Sequence, residues 1–307
     1  MAFQKIAIAG SSGFLGRKIL EYLLTLPGII QITVLSRSIQ PVEAVTSPVV
    51  SFASISTYED TKNLADILRG HDLLVSAIAG VAAGPVDALL VEAAVMAGVR
   101  RFMPSEYTVD VVHSHSVEFA GSSILAAKLA NAKNLELLAR DGKIEYTTLV
   151  TGAFLDFWFS GAVKGIVDPE RRSVMLYDGG ENQVTGCTID FVARCVGAVI
   201  TMPEETTKNQ RIRVAETHFS GKQLLDTFEE VTGKTWTGVY KSTDSLVDDS
   251  LKALKEGNTR GFYLGQILKL AFDGEGSCYF EEGMTHGGTT IKRLALADIV
   301  ASSLATN

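Results

Sequence analysis

A chain of 307 residues with 46% hydrophobic and 21% charged residues can bury a substantial core. It suits one large α/β domain, with or without a smaller lobe. A formal charge of −7 argues against any general attraction to nucleic acid or an anionic membrane surface. The apolar stretch from Leu73 to Leu90 is broken by Gly80, Gly84, Pro85 and Asp87, so no uninterrupted membrane span is expected. Three cysteines, Cys187, Cys195 and Cys278, form neither a CxxC motif nor a disulfide framework, which points to a reducing compartment. Of five histidines, only His113 and His115 are close in sequence, and that pair lacks further ligands for a metal. Met1 to Lys5 lead directly into the first apolar run; no signal or transit peptide is expected, and a cytoplasmic location is.

The first apolar run, Ile6-Ala-Ile-Ala9, precedes Gly10-Ser-Ser-Gly-Phe-Leu-Gly16 and an amphipathic stretch from Arg17 to Leu24. Strand, glycine turn and helix start in this order read as a cradle for a dinucleotide. A first glycine turns the chain off the strand, a second lets backbone approach a pyrophosphate, and a third lets the helix press on the sheet. The phosphates then meet the positive end of the helix. Gly10, Ser12, Gly13, Phe14, Leu15 and Gly16 are the candidate cofactor contacts, although the spacing is GxxGxxG and not the commoner GxGxxG.

Ile30 to Leu35 predicts the second strand, ending in Ser36-Arg37-Ser38. At this place an acidic residue reads the ribose hydroxyls of NAD, whereas arginine accommodates the 2′-phosphate of NADP. Arg37 therefore argues for NADP. Arg17 offers a second cation, its alternative being a solvated helix face. A third strand is predicted over Val49–Phe52, a helix over Thr61–Leu68 and a fourth strand over Asp72–Ile78. Ala77 and Ile78, at that strand's carboxyl end, are placed along the cofactor crevice. A helix over Val86–Ala97 stopping at Gly98 and a strand over Arg101–Pro104 follow. The alternation predicts a right-handed, doubly wound parallel sheet of the Rossmann type.

Ile124 to Arg140 predicts a long helix closed by Asp141-Gly142, and Glu145–Val150 a sixth strand. Residues 1–152 are then the NADP-binding domain, with 181–218 rejoining it, and 153–307 mainly a smaller, mixed α/β substrate lobe. In the second part a hairpin is expected over Ser173–Tyr177 with Asp178-Gly-Gly180 as its turn, and a helix over Ile189–Ile200. Arg211–Val214 reads as a strand returning to the main sheet. Ser220 and Gln223 form a capping box for a helix ending near Gly233, and the rest reads as helical with a glycine-rich interruption from Gly274 to Gly288.

Reduction by a nicotinamide needs a proton donor. The Tyr-x-x-x-Lys pattern occurs at Tyr58-Glu-Asp-Thr-Lys62, before the fourth strand and on the wrong side of the crevice, so it reads as accidental. The helix after the fifth strand carries Lys128 and Lys133 without a tyrosine four residues before either. A lysine beside the nicotinamide, its pKa lowered by desolvation, can donate a proton directly or through water. Two solvated lysines are the alternative. Glu106 and Tyr107, after a strand's carboxyl end, and Phe154 and Trp158, with Phe157, are the candidate substrate contacts.

Gly10-Ser-Ser-Gly-Phe-Leu-Gly16, Val34-Leu-Ser-Arg37, Val99-Arg-Arg-Phe-Met-Pro-Ser-Glu-Tyr107 and Tyr146-Thr-Thr-Leu-Val-Thr-Gly-Ala-Phe-Leu-Asp156 carry a resemblance. With Tyr177-Asp-Gly-Gly180, this ordered set resembles the NmrA-like and isoflavone reductase-like group of atypical short-chain dehydrogenases, and in particular the fungal NmrA-like reductases. The resemblance implies NADPH, an aromatic substrate and a catalytic helix lysine. Counting forward from Pro104-Ser-Glu, Leu125-Ala-Ala-Lys128 matches the family position; counting back from Gly142 reaches Asn131. Lys128 is therefore chosen, with Lys133 as the alternative. The arginine pair that follows this lysine in plant members is absent here, so the plant substrates themselves are not expected.

Two functions fit. One is an NADPH-dependent reductase of a small conjugated or aromatic, phenolic or quinone-like substrate; the other is an NADP-binding redox sensor that binds a protein partner and needs no proton donor.

Overall fold

Period-2 patterning in the central strands decides the architecture. In β1 (Lys5–Ala9) the larger Ile6 and Ile8 pack into one apolar cluster, and the smaller Ala7 and Ala9 pack into another. A strand buried on both faces belongs in the middle of a parallel sheet. The computed structural model describes residues 3–37, 47–119, 125–161, 163, 165–280 and 291–305. Ser38, Ile124 and the segment 281–290 of the expected glycine-rich interruption lie outside the described residues.

After β1 the chain forms α1 (Phe14–Leu23), β2 (Gln31–Ser36), β3 (Val50–Ser54), α2 (Thr61–Leu68), β4 (Leu73–Ser76), α3 (Ala83–Ala97) and β5 (Arg101–Met103). It continues through α4 (Ser114–Phe119), α5 (Leu125–Arg140), β6 (Glu145–Val150), β7 (Ala153–Phe154), α6 (Leu155–Phe159), β8 (Val167–Asp168), β9 (Ser173–Tyr177) and β10 (Val184–Cys187). Then come α7 (Ile189–Thr201), α8 (Glu204–Thr207), β11 (Gln210–Arg213), β12 (Thr217–Phe219), α9 (Gly221–Thr232), β13 (Thr237–Lys241), α10 (Asp244–Lys255), α11 (Thr259–Phe272) and α12 (Leu296–Ala305).

The main sheet has seven strands in the order β3-β2-β1-β4-β5-β6-β11, every neighbouring pair parallel. Strand order reverses between β1 and β4, where a crevice opens at the carboxyl ends. Residues of α1 and α7 cover one face, and residues of α2, α3 and α5 the other. Two small three-stranded sheets, β12-β10-β7 and β13-β9-β8, join α6 and α9 to α12 around a separate apolar cluster that includes Trp158, Phe159, Phe219, Phe228 and Phe272. The fold is thus a Rossmann-like α/β sheet with a smaller mixed lobe.

Local signals behave as physics requires where they are strong. Asp60 caps α2 through the Asn63 N–H, Ser220 and Gln223 form the reciprocal capping box, and Gly98 and Gly233 end their helices in the left-handed region. The hairpin reading is corrected: β9 pairs antiparallel with β8, which precedes it, and parallel with the distant β13. Asp178-Gly-Gly180 therefore leads out of the small sheet instead of turning back along β9. The strand β13 was absent from the sequence reading, because Thr-Gly-Val-Tyr-Lys is short and its partner lies far back in the chain. By length and mean hydropathy the run Gly80–Ala97 suits a membrane span (18 residues, 1.5). Here it packs on α2 and α5, with Gly84, Asp87, Leu90 and Ala94 among its buried residues.

His71 reports on this core. Its Nδ1–H donates to the Leu68 carbonyl at 3.1 Å, and its Nε2 accepts from the Thr33 hydroxyl at 2.8 Å. Burial holds its pKa below the usual histidine value, so the folded ring resists a proton that the unfolded chain accepts. Stability is complete above about pH 6.5 and declines as pH falls through that value. Urea midpoints between about pH 8 and pH 5 should fall less steeply for His71→Gln; an equally steep fall removes His71 from this account.

Candidate active site

Gly10 leaves β1 with φ of +85°, and a Cβ there would stand 2.5 Å from the Ala77 carbonyl oxygen. Only glycine allows both the backbone angle and this approach. A Cβ on Gly16 would stand 2.2 Å from the Gly10 carbonyl oxygen, so the third glycine seats α1 directly on the turn. Gly13 caps α1 from an extended backbone with no side chain bonded over the helix end. The first-turn N–H groups of Phe14, Leu15 and Gly16 have no carbonyl of their own helix to bond. Helix start, glycine turn and exposed Ser12 together fit a pyrophosphate. The helix begins at Phe14 and not at Arg17, because Gly16 belongs to its first turn.

Ala77 and Ile78 stand against Gly10 across the switch point, the Ala77 N–H donating to the Ala9 carbonyl at 2.8 Å. Arg37 is exposed at the end of β2, its guanidinium 5.8 Å from the centre of the Tyr58 ring. Arg17 is also exposed but ion-pairs with Glu21 at 3.1 Å on the outer face of α1, the solvated-face alternative. Lys62 is exposed on α2 and Tyr58 is buried before it.

The two candidate lysines part company on α5. Lys133 is exposed. Lys128 is 7% exposed, and its Nζ donates to the Ser105 carbonyl at the carboxyl end of β5. The Ser105 hydroxyl in turn donates to the Ile78 carbonyl at 2.8 Å, so the lysine, the end of β5 and the cradle form one continuous set of contacts. Asn131, the position reached by counting backward, is buried and donates to the Gly84 carbonyl at 2.6 Å. It fastens α5 to α3 one turn beyond Lys128. Burial is the largest influence on Lys128 and lowers its pKa, opposed by the negative charges of Asp87 and Glu106.

Charge around the lysine is dense and arranged in alternation. Glu106, 1% exposed, lies 2.7 Å from Arg211 of β11, a close ionic contact without the direction of a good hydrogen bond. Arg211 donates to Asp110 at 2.8 Å, and Arg213 donates to the other Asp110 oxygen at 2.8 Å. Burial pushes the Asp110 carboxyl up, but the two arginines outweigh it and hold the group below the usual range. Tyr107 is buried, with its hydroxyl unpartnered among the described residues, and burial raises its pKa.

Against known proteins, the model of the NmrA-like family matches residues 3–252. The chain belongs to the NmrA-like family. Relatives of this NmrA-like protein include oxidoreductase poxI of Penicillium oxalicum, 26% identical over 237 residues, covering 73% of this chain and 70% of the relative. Pinoresinol reductase 1 of Arabidopsis thaliana is 25% identical over 242 residues, covering 75% of each chain. Among solved structures, AtPrR2 with NADP+ and (+)pinoresinol superposes with a TM-score of 0.75 at 20% identity, covering 98% of this chain and 99% of that one. Fungal and plant relatives thus match at similar identity, and the fungal kinship is not singled out.

In this NmrA-like chain the aromatic candidates divide. Phe157 meets the exposed Phe14 edge-on at 5.0 Å and Phe154 at 6.4 Å, a cluster beginning at the cradle itself. Trp158 is buried and stacks on Phe272 at 5.5 Å, inside the core of the smaller lobe. His115 pairs with Asp273 at 2.7 Å, and among the described residues no cluster of His, Cys, Asp and Glu could hold a metal. Sequence reading missed Asp87 and Arg211. A carboxylate inside the apolar Ala83–Ala97 helix was the available signal for the first; the second depends on strand order.

Gly16→Ala should weaken NADP+ binding at least about tenfold, or 1.4 kcal/mol, by forcing α1 off the turn. Gly142→Ala, strained by its own φ of +67° but with nothing near its Cβ, serves as the control. Calorimetric titration giving equal affinities for both would remove the cradle role of Gly16.

Proposed function

We propose that this protein is an NADPH-dependent reductase of a small conjugated or aromatic, phenolic or quinone-like molecule, with Lys128 assisting proton transfer. The observation that carries the reading is the burial of Lys128 at the end of β5, in a chain of contacts that ends on the glycine cradle. A solvated lysine has no reason to be there, since burying an ammonium costs several kcal/mol unless it is used or compensated. Names of relatives such as pinoresinol reductase support a phenolic substrate class.

NADPH, when bound, supplies the hydride. Gly10 and Gly16 give its pyrophosphate backbone-close access, the N-terminus of α1 offsets its charge, and Arg37 takes the 2′-phosphate. Ala77 and Ile78 border its crevice. Lys128 holds a proton toward the substrate oxygen or carbon that gains electron density, and burial makes that proton easier to give near neutral pH. Phe154 and Phe157 supply an apolar wall for a planar substrate, with Glu106 and Tyr107 as its polar limit. In this division residues 1–152 with 181–218 hold the cofactor and 153–307 mainly shape the substrate site. The buried free thiols of Cys187, Cys195 and Cys278 support a cytoplasmic setting.

Oxidation of NADPH should be screened against quinones, enones and phenylpropanoids. Lys128→Ala should lower kcat by about 100-fold or more, and Lys133→Ala should leave it unchanged. Tight NADPH binding with no turnover, and no effect of either lysine, would favour the sensor. Separately, Arg37→Ala should reduce the preference for NADP over NAD by about tenfold; an unchanged ratio of the two affinities would show that selection lies elsewhere.

A further inference from the structure

Asp87 lies on α3 where that helix crosses α5. The crossing is close: a Cβ on Gly84 would stand 2.5 Å from the Ala127 Cβ, and Asn131 bonds the Gly84 carbonyl from the other side. One turn along α3 from Gly84 comes Asp87, and one residue along α5 from Ala127 comes Lys128. Both therefore arrive at the carboxyl ends of β4 and β5. Asp87 is 3% exposed, and both its oxygens are engaged. Oδ1 accepts from the Ser76 hydroxyl at 2.5 Å, and Oδ2 accepts from the Ser105 N–H at 2.7 Å. The carbonyl of the same Ser105 accepts from Lys128.

We propose that Asp87 is a positioning residue for Lys128: it fixes Ser105, on whose carbonyl the lysine rests, and its carboxylate provides the counter-charge for the buried ammonium. This rests on the reading of Lys128 as the proton donor. Two donors directed at one carboxyl group suit an anion. A buried carboxylate is costly unless bonded and paired, and Asp87 lies among the buried residues of α3, whose other acid, Glu92, is exposed. Asp87 faces Lys128 from α5, Glu106 and Tyr107 from the segment after β5, and Tyr58 from the connection before α2. Of the two carboxylates that act on Lys128, Asp87 exerts the larger influence and Glu106 the smaller, with Arg211 opposing both. Burial raises the Asp87 carboxyl to about 6, against the Ser76 bond and the attraction of Lys128. Above that pH the group is charged, and below it the lysine loses the larger of its two counter-charges, leaving Glu106.

The test is an NMR titration of lysine side chains in the full chain labelled with 13C and 15N lysine, Lys128 being assigned by its loss in Lys128→Arg. In the wild type, the Lys128 signal should show a small inflection near pH 6, where Asp87 titrates. Asp87→Asn should abolish that inflection and lower the Lys128 pKa by about one unit or more. Ser76→Ala keeps the charge but removes a bond that favours the carboxylate, so the inflection should move to higher pH. A Lys128 pKa unchanged in Asp87→Asn overturns the proposal. If that variant does not fold, an inflection unmoved in Ser76→Ala overturns it instead. With any quinone or enone that the wild type reduces, Asp87→Asn should lower kcat by about 10-fold to 100-fold with KM for NADPH within about twofold. Should the wild type reduce none of them, the reductase reading fails while the titration still decides the role of Asp87.

Discussion

Backbone contact at Gly10 is the constraint on which the site depends. Its turn brings the end of β1 against the end of β4 at Ala77, and the first turn of α1 sits on its carbonyl. Side chains at Gly10 or Gly16 would separate three elements at once, since packed interiors do not absorb a displaced backbone locally. From that contact the rest follows in space. Ile78 receives the Ser105 hydroxyl, Ser105 receives Lys128, and the carboxyl ends of β4 and β5 form one surface. The glycine turn and the buried lysine are therefore adjoining parts of one packed unit.

Burying so much charge near that surface is tolerated because opposite charges alternate. Arg213, Asp110, Arg211 and Glu106 form consecutive contacts, and Lys128 and Asp87 continue the sequence of signs. Pairing does not make such groups strongly stabilising, because each has left water. Its effect is to fix which protonation states and orientations the site can adopt. Burial lowers the affinity of Lys128 for its proton, opposed by Asp87 and Glu106, the direction that the proposed proton transfer needs.

Much of the sheet was legible because its signals are local and repeated. Buried strands such as Lys5–Ala9 and Leu73–Ser76 are short apolar runs, α2 begins at a capping aspartate, and the glycine turn has a spacing few other structures require. The choice between Lys128 and Lys133 was not legible. Five residues on a helix separate them by about 140°, so they face different surroundings, but the alanine-rich α5 has too weak an apolar stripe to show which way either points. Asp87 read as an interruption of an apolar run, because its partners Ser76, on β4, and Ser105, just after β5, lie elsewhere in the chain. The hairpin expected at β9 failed for a related reason: Asp178-Gly-Gly180 does turn, the Gly180 N–H donating to the Tyr177 carbonyl, yet the later strand that pairs with β9, β13, begins more than 50 residues on.

The seventh strand gives the site a dependence on the order in which the chain is made. β11 docks beside β6 and carries Arg211 and Arg213 to Asp110, about 100 residues upstream. During synthesis, the cradle and the lysine helix emerge first, and two buried acids wait without their cations until residue 213 has appeared. A nascent chain ending before that point lacks the cations that Glu106 and Asp110 meet in the complete fold, and burying either acid unpaired favours local opening. The main sheet is therefore complete only once α7 and β11 have been synthesised, after the first segment of the smaller lobe.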